Sequence, residues 1–240
     1  MKQKIIALIP ARSGSERLKG KNIKIFQGRP LIYYTIKSAI KSKIFDKVLV
    51  STNSKKYKSI AEKYGAIVPF LRPNKLAKST SNDFEWVNFT INKLKKKGLK
   101  YDLFFILRPT NPFRTHKTIL RAWREFKLLN NKIDCLRAIE KCKQHPHKMW
   151  IKKNNLIKPL INKQKFKQPH YNMQMKSLPI IYIQNASLEI SKTLNLKKYK
   201  TITGEKIMPF FTKKYEGFDI NYEFDLAHAN YLVKNKKVKI

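Results

Sequence analysis

The sequence is short of cysteine, of acidic side chains and of long apolar runs, and each shortage removes a class of protein. Cys135 and Cys142 alone cannot build a disulfide framework, and they lack the paired spacing of a zinc ribbon, so a reducing cytoplasm is expected. Cys142 lies near His145 and His147, but a fourth ligand for zinc is missing. The opening apolar run, residues 5–10, is far too short to span a bilayer and has no small-residue cleavage pattern behind it. The chain therefore reads as soluble, with no membrane partner. Only 15 Asp and Glu oppose 53 Lys and Arg, a formal charge of +38. Such a charge suits a polyanion partner. The lysines are spread through every segment, however, including 93–97, and no nucleic-acid-binding module accompanies them. With Asn and Ile also abundant, the charge is read as a solvated surface set by composition bias, and nucleic acid is not expected as the principal partner.

What is present is a chain of 240 residues, enough to bury one sizeable core. Short apolar runs alternate with longer helix-period segments, the pattern of a parallel sheet with crossover helices. Strands are expected at 5–10, 48–51, 66–70, 103–107 and 135–139, and regular structure resumes at 187–191 and continues through 207–211. Helices are expected with Pro30 near the first position and Ile32, Ile36, Ala39 and Ile40 on one face, over 54–64 with Gly65 as its stop, and around Phe84, Val87, Ile91 and Leu94. Two more follow, one lined by Ile119, Trp123 and Phe126 and one starting near Tyr222. Trp86, Trp123, Tyr33 and Tyr34 read as core residues. From about 144 to 185 the regular pattern fades into a segment too long for an ordinary connection, expected to be an inserted β-ribbon or arm within a single domain, 1–240.

Chemistry concentrates at the end of the first expected strand. There the chain reads Pro10-Ala11-Arg12-Ser13-Gly14-Ser15-Glu16-Arg17-Leu18-Lys19-Gly20-Lys21-Asn22, a small-residue loop with four cations. Open α/β sheets bind ligands at that edge. Backbone N–H groups of such a loop can cradle phosphate oxygens while Arg and Lys offset the charge that builds during transfer. A P-loop is excluded, because five residues separate Gly14 from Gly20 and Asn22 follows Lys21. A dinucleotide fingerprint is also absent.

This segment resembles the nucleotide-binding signature of the cytidylyltransferases that make CMP-sialic acid and related CMP-nonulosonates, with a more distant likeness to CMP-Kdo synthetases. The likeness continues through 45–52, through 65–73 with its Leu-Arg-Pro turn, and through Leu107-Arg108-Pro109-Thr110-Asn111-Pro112-Phe113-Arg114. It resumes at Asn185-Ala186-Ser187-Leu188-Glu189-Ile190 and at Gly217-Phe218-Asp219-Ile220-Asn221, and is weakest between 144 and 178. The resemblance implies an α/β three-layer sandwich with a mostly parallel, Rossmann-like sheet of the nucleotide-diphospho-sugar transferase type and an inserted dimerisation arm. It implies transfer of CMP from CTP to the anomeric hydroxyl of a 2-keto sugar acid, with Mg²⁺ and no organic cofactor, in a cytoplasmic homodimer. Kdo as the acceptor and a non-catalytic polyanion-binding role are the alternatives.

Carried over by position, the resemblance puts Arg12 and Lys21 on the triphosphate as catalytic residues. It puts Pro10, Ala11, Ser13, Gly14, Asn22, Arg72 and Asp83 around the nucleotide. Arg108, Thr110, Asn111, Arg114 and Asn185 fall on the sugar side, and Asp219 and Asn221 on the metal. Bland readings stand beside these. Arg72 can brace a turn, Asp83 can cap a helix, Asn221 can be the N-cap of the last helix, and Arg108 and Arg114 suit a carboxylate, a phosphate or plain solvation. Three departures from the family pattern stand out. Glu16 occupies a common Lys position, Asn221 a common Asp position, and Arg108 a common Gln position.

Overall fold

The computed structural model describes residues 3–161 and 169–240. Residues 162–168 of the expected arm lie outside the described residues. In chain order the elements are β1 (Ile5–Pro10), β2 (Ile25–Phe26), β3 (Arg29–Pro30), α1 (Leu31–Ser42), β4 (Lys47–Ser51), α2 (Lys55–Lys63), α3 (Asp83–Lys96) and β5 (Leu103–Leu107). There follow α4 (His116–Leu129), β6 (Cys135–Lys141), β7 (Trp150–Lys153), β8 (Leu156–Pro159), β9 (Tyr182–Lys192), α5 (Leu194–Lys198), β10 (Ile207–Phe211) and α6 (Glu223–Lys234).

Six strands form the central sheet in the order β10-β6-β9-β5-β1-β4. β1 runs parallel to β4 and β5, while β9 lies antiparallel to β5. β1 and β5 are buried along nearly their whole length, as continuous Ile, Leu and Phe runs in a sheet covered on both faces should be. Successive side chains of a strand point to opposite faces. Accordingly Ile5, Ala7 and Ile9 pack with Ile32 and Ile36 of α1, Ala61 of α2 and Phe126 of α4, whereas Ile6 and Leu8 pack with Trp86, Val87 and Leu94 of α3 and Leu196 of α5. Helix, sheet and helix make the three layers.

Three local expectations are corrected. The strand at 66–70 shrinks to one parallel bridge, Ile67 opposite Leu49. Ile67 N–H donates to Val48 O and Ile67 O accepts from Val50 N–H, so the next ladder donor would come from residue 69, and Pro69 has no N–H. Helix α1 starts at Leu31 with Pro30 as its extended N-cap, and Ile40 is 40% exposed because the buried face runs through Leu31, Ile32, Thr35, Ile36, Ala39 and Ser42. Asn82, not Asp83, caps α3, its Oδ1 accepting from Glu85 N–H at 3.0 Å.

Gly65 does stop α2. Its φ of 94° lets Gly65 N–H reach Glu62 O and Ala66 N–H reach Ala61 O, the paired bonds of a Schellman motif. A Cβ there would also sit 3.1 Å from Ile40 Cδ1. Gly65→Ala is expected to cost about 1 kcal/mol or more in denaturant unfolding, without changing the sheet signal in circular dichroism.

By internal contacts the chain divides into two compact units, Met1–Ala138 with Asn185–Ile240, and Ile139–Gln184. In the second unit β7 and β8 pair as an antiparallel hairpin, and His145, His147 and His170 bond to one another. Among the described residues no group of three or more His, Cys, Asp and Glu is arranged to hold a metal, and no helix is long and apolar enough to cross a membrane.

Candidate active site

The strand register brings the candidate residues to one edge of the sheet. Pro10 pairs with Ser51, and Leu8 pairs with Ile106, so two residues further on Pro10 is level with Arg108. The carboxyl ends of β4, β1 and β5 thus stand side by side, the position at which open α/β sheets bind ligands.

The loop after β1 is held by its own polar groups. Ala11 N–H donates to Ser51 O at 2.9 Å, and Ser13 N–H and Oγ–H donate to Asn53 Oδ1. Arg12 Nη1 folds back to Gly14 O at 2.6 Å, and buried Asn22 donates to Arg12 O at 3.0 Å. Gly20, at φ 66°, turns the chain into a short 3-10 segment, Lys21–Ile23, which sets the Lys21 side chain. Lys21 Nζ donates to Asn221 Oδ1 at 2.9 Å, and Asn221 Nδ2 donates to Asp219 Oδ2 at 2.6 Å. Asp219 Oδ1 is buried and accepts no hydrogen bond among the described residues. Burial lowers the Lys21 pKa, Arg17 and Arg12 push the same way, and Asp219 and Asp225 oppose them. Arg17 itself lies over the Tyr222 ring at 5.5 Å. Asn221 is not the N-cap of α6. Tyr222 holds that position, and Asp225 Oδ2 accepts from the backbone of both residues, which leaves the Asn221 amide to Lys21.

Arg72 braces its turn, as one of its two readings had it. Its Nε and Nη2 donate to Ser51 Oγ and Ser51 O at 3.0 and 2.8 Å, its guanidinium carbon lies 4.7 Å from the Trp86 ring centre, and burial lowers its pKa to about 10. Asp83 is engaged from two sides, by Trp86 Nε1 at 2.8 Å and by Arg108 Nη2 at 2.5 Å. Burial alone would raise its pKa, but the Arg108 charge and these hydrogen bonds hold it below the usual carboxylate range. The mirror effect keeps Arg108 above the usual guanidinium range against its burial, through Asp83 and Glu189.

Of the residues that the resemblance puts on the sugar side, Thr110, Asn111 and Arg114 are buried. Arg114 is 0% exposed, and its guanidinium serves Ser187 O, Arg108 O and Thr35 Oγ, with burial and then Arg108 lowering its pKa. The carboxylate reading of Arg114 is replaced by an architectural one: every bonded nitrogen points at this chain's own oxygens. Arg114→Met is expected to destabilise the fold by about 3 kcal/mol, read from urea midpoints, because three acceptors lose their donor inside the core. Asn111 is likewise buried, its Oδ1 accepting from Phe113 and Arg114 N–H and its Nδ2 donating to Glu216 O. Thr110 O accepts from Ile220 N–H at 2.9 Å, tying the loop after β5 to the segment that carries Asp219. Asn185 Nδ2 donates to Thr212 Oγ at 2.8 Å. Two anchors were missed in the sequence, Asn53 and Glu189. Asn53 carried a readable signal, a polar residue just beyond a strand's carboxyl end; Glu189 carried none, since its partners are remote in the chain.

A family model described as cytidylyltransferase matches residues 6–238. The N-acylneuraminate cytidylyltransferase of Escherichia coli O18:K1:H7 is 31% identical over 241 residues, 99% of this chain and 54% of that protein, so the chain spans about half its length. The CMP-N,N'-diacetyllegionaminic acid synthase of Legionella pneumophila is 31% identical over 232 residues, 96% of this chain and 97% of that one. Among solved structures, a CMP:2-keto-3-deoxy-manno-octonic acid synthetase complexed with CTP superposes with a TM-score of 0.69 over 97% of this chain and 99% of its own, at 13% identity, a likeness of fold.

Proposed function

Because the chain belongs to the cytidylyltransferase family, we propose that it transfers CMP from CTP to the anomeric hydroxyl of a 2-keto sugar acid, sialic acid or a related nonulosonic acid, releasing pyrophosphate. One observation carries the reading beyond family membership. The loop at the end of β1 offers Arg12 bonded to a backbone carbonyl and Lys21 bonded to a neutral amide, so that among the described residues neither cation is neutralised by a bonded carboxylate. Cations without a bonded carboxylate at the ligand-binding edge of a sheet suit a triphosphate. A Cβ on Gly14 would meet only Arg12 Nη1, at 3.7 Å, so the chain's own packing does not demand glycine there; close approach of a phosphate to the backbone does.

In this reading the anomeric hydroxyl oxygen attacks the α-phosphorus and gives up its proton to solvent, while the bond to the β-phosphate breaks and pyrophosphate departs. Arg12, Lys21 and the N–H groups of Arg12 and Gly14, which unlike those of Ala11 and Ser13 donate to no acceptor among the described residues, hold the phosphates and face the charge that grows on them, and Arg72 fixes the strand end beneath. Asp219 suits magnesium, since its Oδ1 is a buried hard oxygen without a donor among the described residues and magnesium takes one or two carboxylates plus substrate phosphates, whereas Asn221 Oδ1 already accepts from Lys21 and would have to be shared. Bound there, the metal would supply neutralisation of the phosphate oxygens. Arg108, level with Pro10 at this edge, is read as a sugar-side group.

The direct test is pyrophosphate release from CTP and Mg²⁺ with a panel of sialic, legionaminic and pseudaminic acids and Kdo. Release with one nonulosonic acid supports the reading, release with Kdo alone reassigns the acceptor, and silence with all of them sinks it. We further read 144–185 as a dimerisation arm and the protein as a cytoplasmic homodimer. Trp150 and Ile157 on one face of the β7–β8 hairpin and Ile151 and Leu156 on the other are all exposed, apolar groups that a second copy would cover, and both cysteines are free. Sedimentation equilibrium should return twice the mass of one chain, and a single-chain mass at micromolar concentration would reject the dimer.

A further inference from the structure

Four charged side chains form a neutral series on the α3 side of the sheet: Asp83, Arg108, Glu189 and Arg137. Arg108 Nη2 donates to Asp83 Oδ2 at 2.5 Å and to Glu189 Oε1 at 3.0 Å, and Arg137 Nη2 donates to Glu189 Oε2 at 2.5 Å. Glu189 stands on β9 opposite Ile106, two residues before Arg108, and is the deepest of the four, with 8% of its side chain exposed against 31% for Arg108. A carboxylate that far out of water is retained only when matched, and here two guanidiniums match it.

The geometry limits what Arg108 can do. A guanidinium Nη2 carries two hydrogens, and both are spent on carboxylates. Either two-nitrogen edge of the group includes Nη2, so a bidentate clamp on a substrate carboxylate is closed to it. Nη1 and Nε have no acceptor among the described residues.

We propose that Glu189 is a positioning residue for the sugar-acid side of the site: with Asp83 it pins Arg108 through Nη2, so that Nη1 is presented as a single oriented donor to an oxygen of the sugar acid. The inference rests on the CMP-transfer reading. Without the Glu189 charge, Arg108 keeps Asp83 as its only charged partner among the described residues and regains rotamer freedom that substrate binding must remove again. Ordering one freed arginine weakens binding by up to about tenfold.

The test is Glu189→Gln, which keeps shape and removes charge. The expected result is a KM for the sugar acid raised up to about tenfold, with the KM for CTP changed by less than about twofold. In ¹⁵N-arginine spectra, the Arg108 Nε–H signal, assigned by its loss in Arg108→Lys, should be sharp in the natural protein and broadened in Glu189→Gln. An unchanged sugar-acid KM, an equal rise in both KM values with a lowered Tm, or an unchanged Arg108 signal overturns the proposal. If the natural protein releases no pyrophosphate with any sugar acid, the CMP-transfer reading fails instead, and the arginine spectra still decide whether Glu189 orders Arg108.

Discussion

Lys21→Met is expected to slow pyrophosphate release by about 10²–10³-fold, the usual loss when one preorganised donor to a developing negative charge is removed. The same substitution should leave the melting temperature of the ligand-free protein unchanged or slightly higher. Both halves follow from one arrangement. Lys21 is partly buried, its only hydrogen-bond acceptor among the described residues is the neutral Asn221 amide, and burial with the repulsion of Arg17 and Arg12 outweighs the attraction of Asp219 and Asp225. A cation so placed is a burden on the folded chain until an anion arrives, so the apolar isostere relieves the fold while it disarms the site. Steady-state pyrophosphate assay and thermal unfolding check the two halves. A rate within threefold of the natural protein would remove Lys21 from the chemistry, and a large fall in melting temperature would make its role structural.

Asp219→Asn is expected to cost at least about 10²-fold in turnover and to move the Mg²⁺ titration to higher concentration. Asp219 is the one carboxylate of its pair position, since residue 221 is Asn, and that Asn is already bonded to Lys21 and to Asp219 itself. Replacing Oδ1 by an amide group leaves no anionic oxygen in the trio of side chains. A second readout is independent of turnover: Mn²⁺ binding in the presence of CTP, followed by electron paramagnetic resonance, should weaken in Asp219→Asn. Undiminished Mn²⁺ binding would place the metal elsewhere.

The layers of the fold were legible because their signal is local. Leu103–Leu107 is a short, unbroken apolar run and appears as β5 with the expected bounds. The expected strand at 66–70 failed on a single missing N–H, at Pro69, which ends the ladder after one bridge. At the candidate site, proximity was legible and bonding partners less so. Arg12, Lys21, Asn22, Asp219 and Asn221 are linked in space as their chemistry suggests, though Lys21 and Asn221 are 200 positions apart. Arg114 was read as a substrate group because an arginine beside a Pro-rich loop suits an anion. What decides its role is the backbone carbonyl of Ser187, 73 positions away, which needs a donor. Glu189 had no role in the sequence for the same reason, with partners 81 and 52 positions away.

The strand order has a consequence for the birth of the protein. β9 lies between β5 and β6, yet it is made after both of them. On the ribosome, β1, β4 and β5 can pair as soon as they emerge, but the far edge of β5 then stays open until β9 has been translated, several seconds later at about 5–20 residues per second. That edge belongs to Leu-Phe-Phe-Ile-Leu, an apolar strand whose bare N–H and C=O groups are a template for any passing chain. Nascent chains arrested between β5 and β9 should therefore be the form that chaperones hold and that clumps without them.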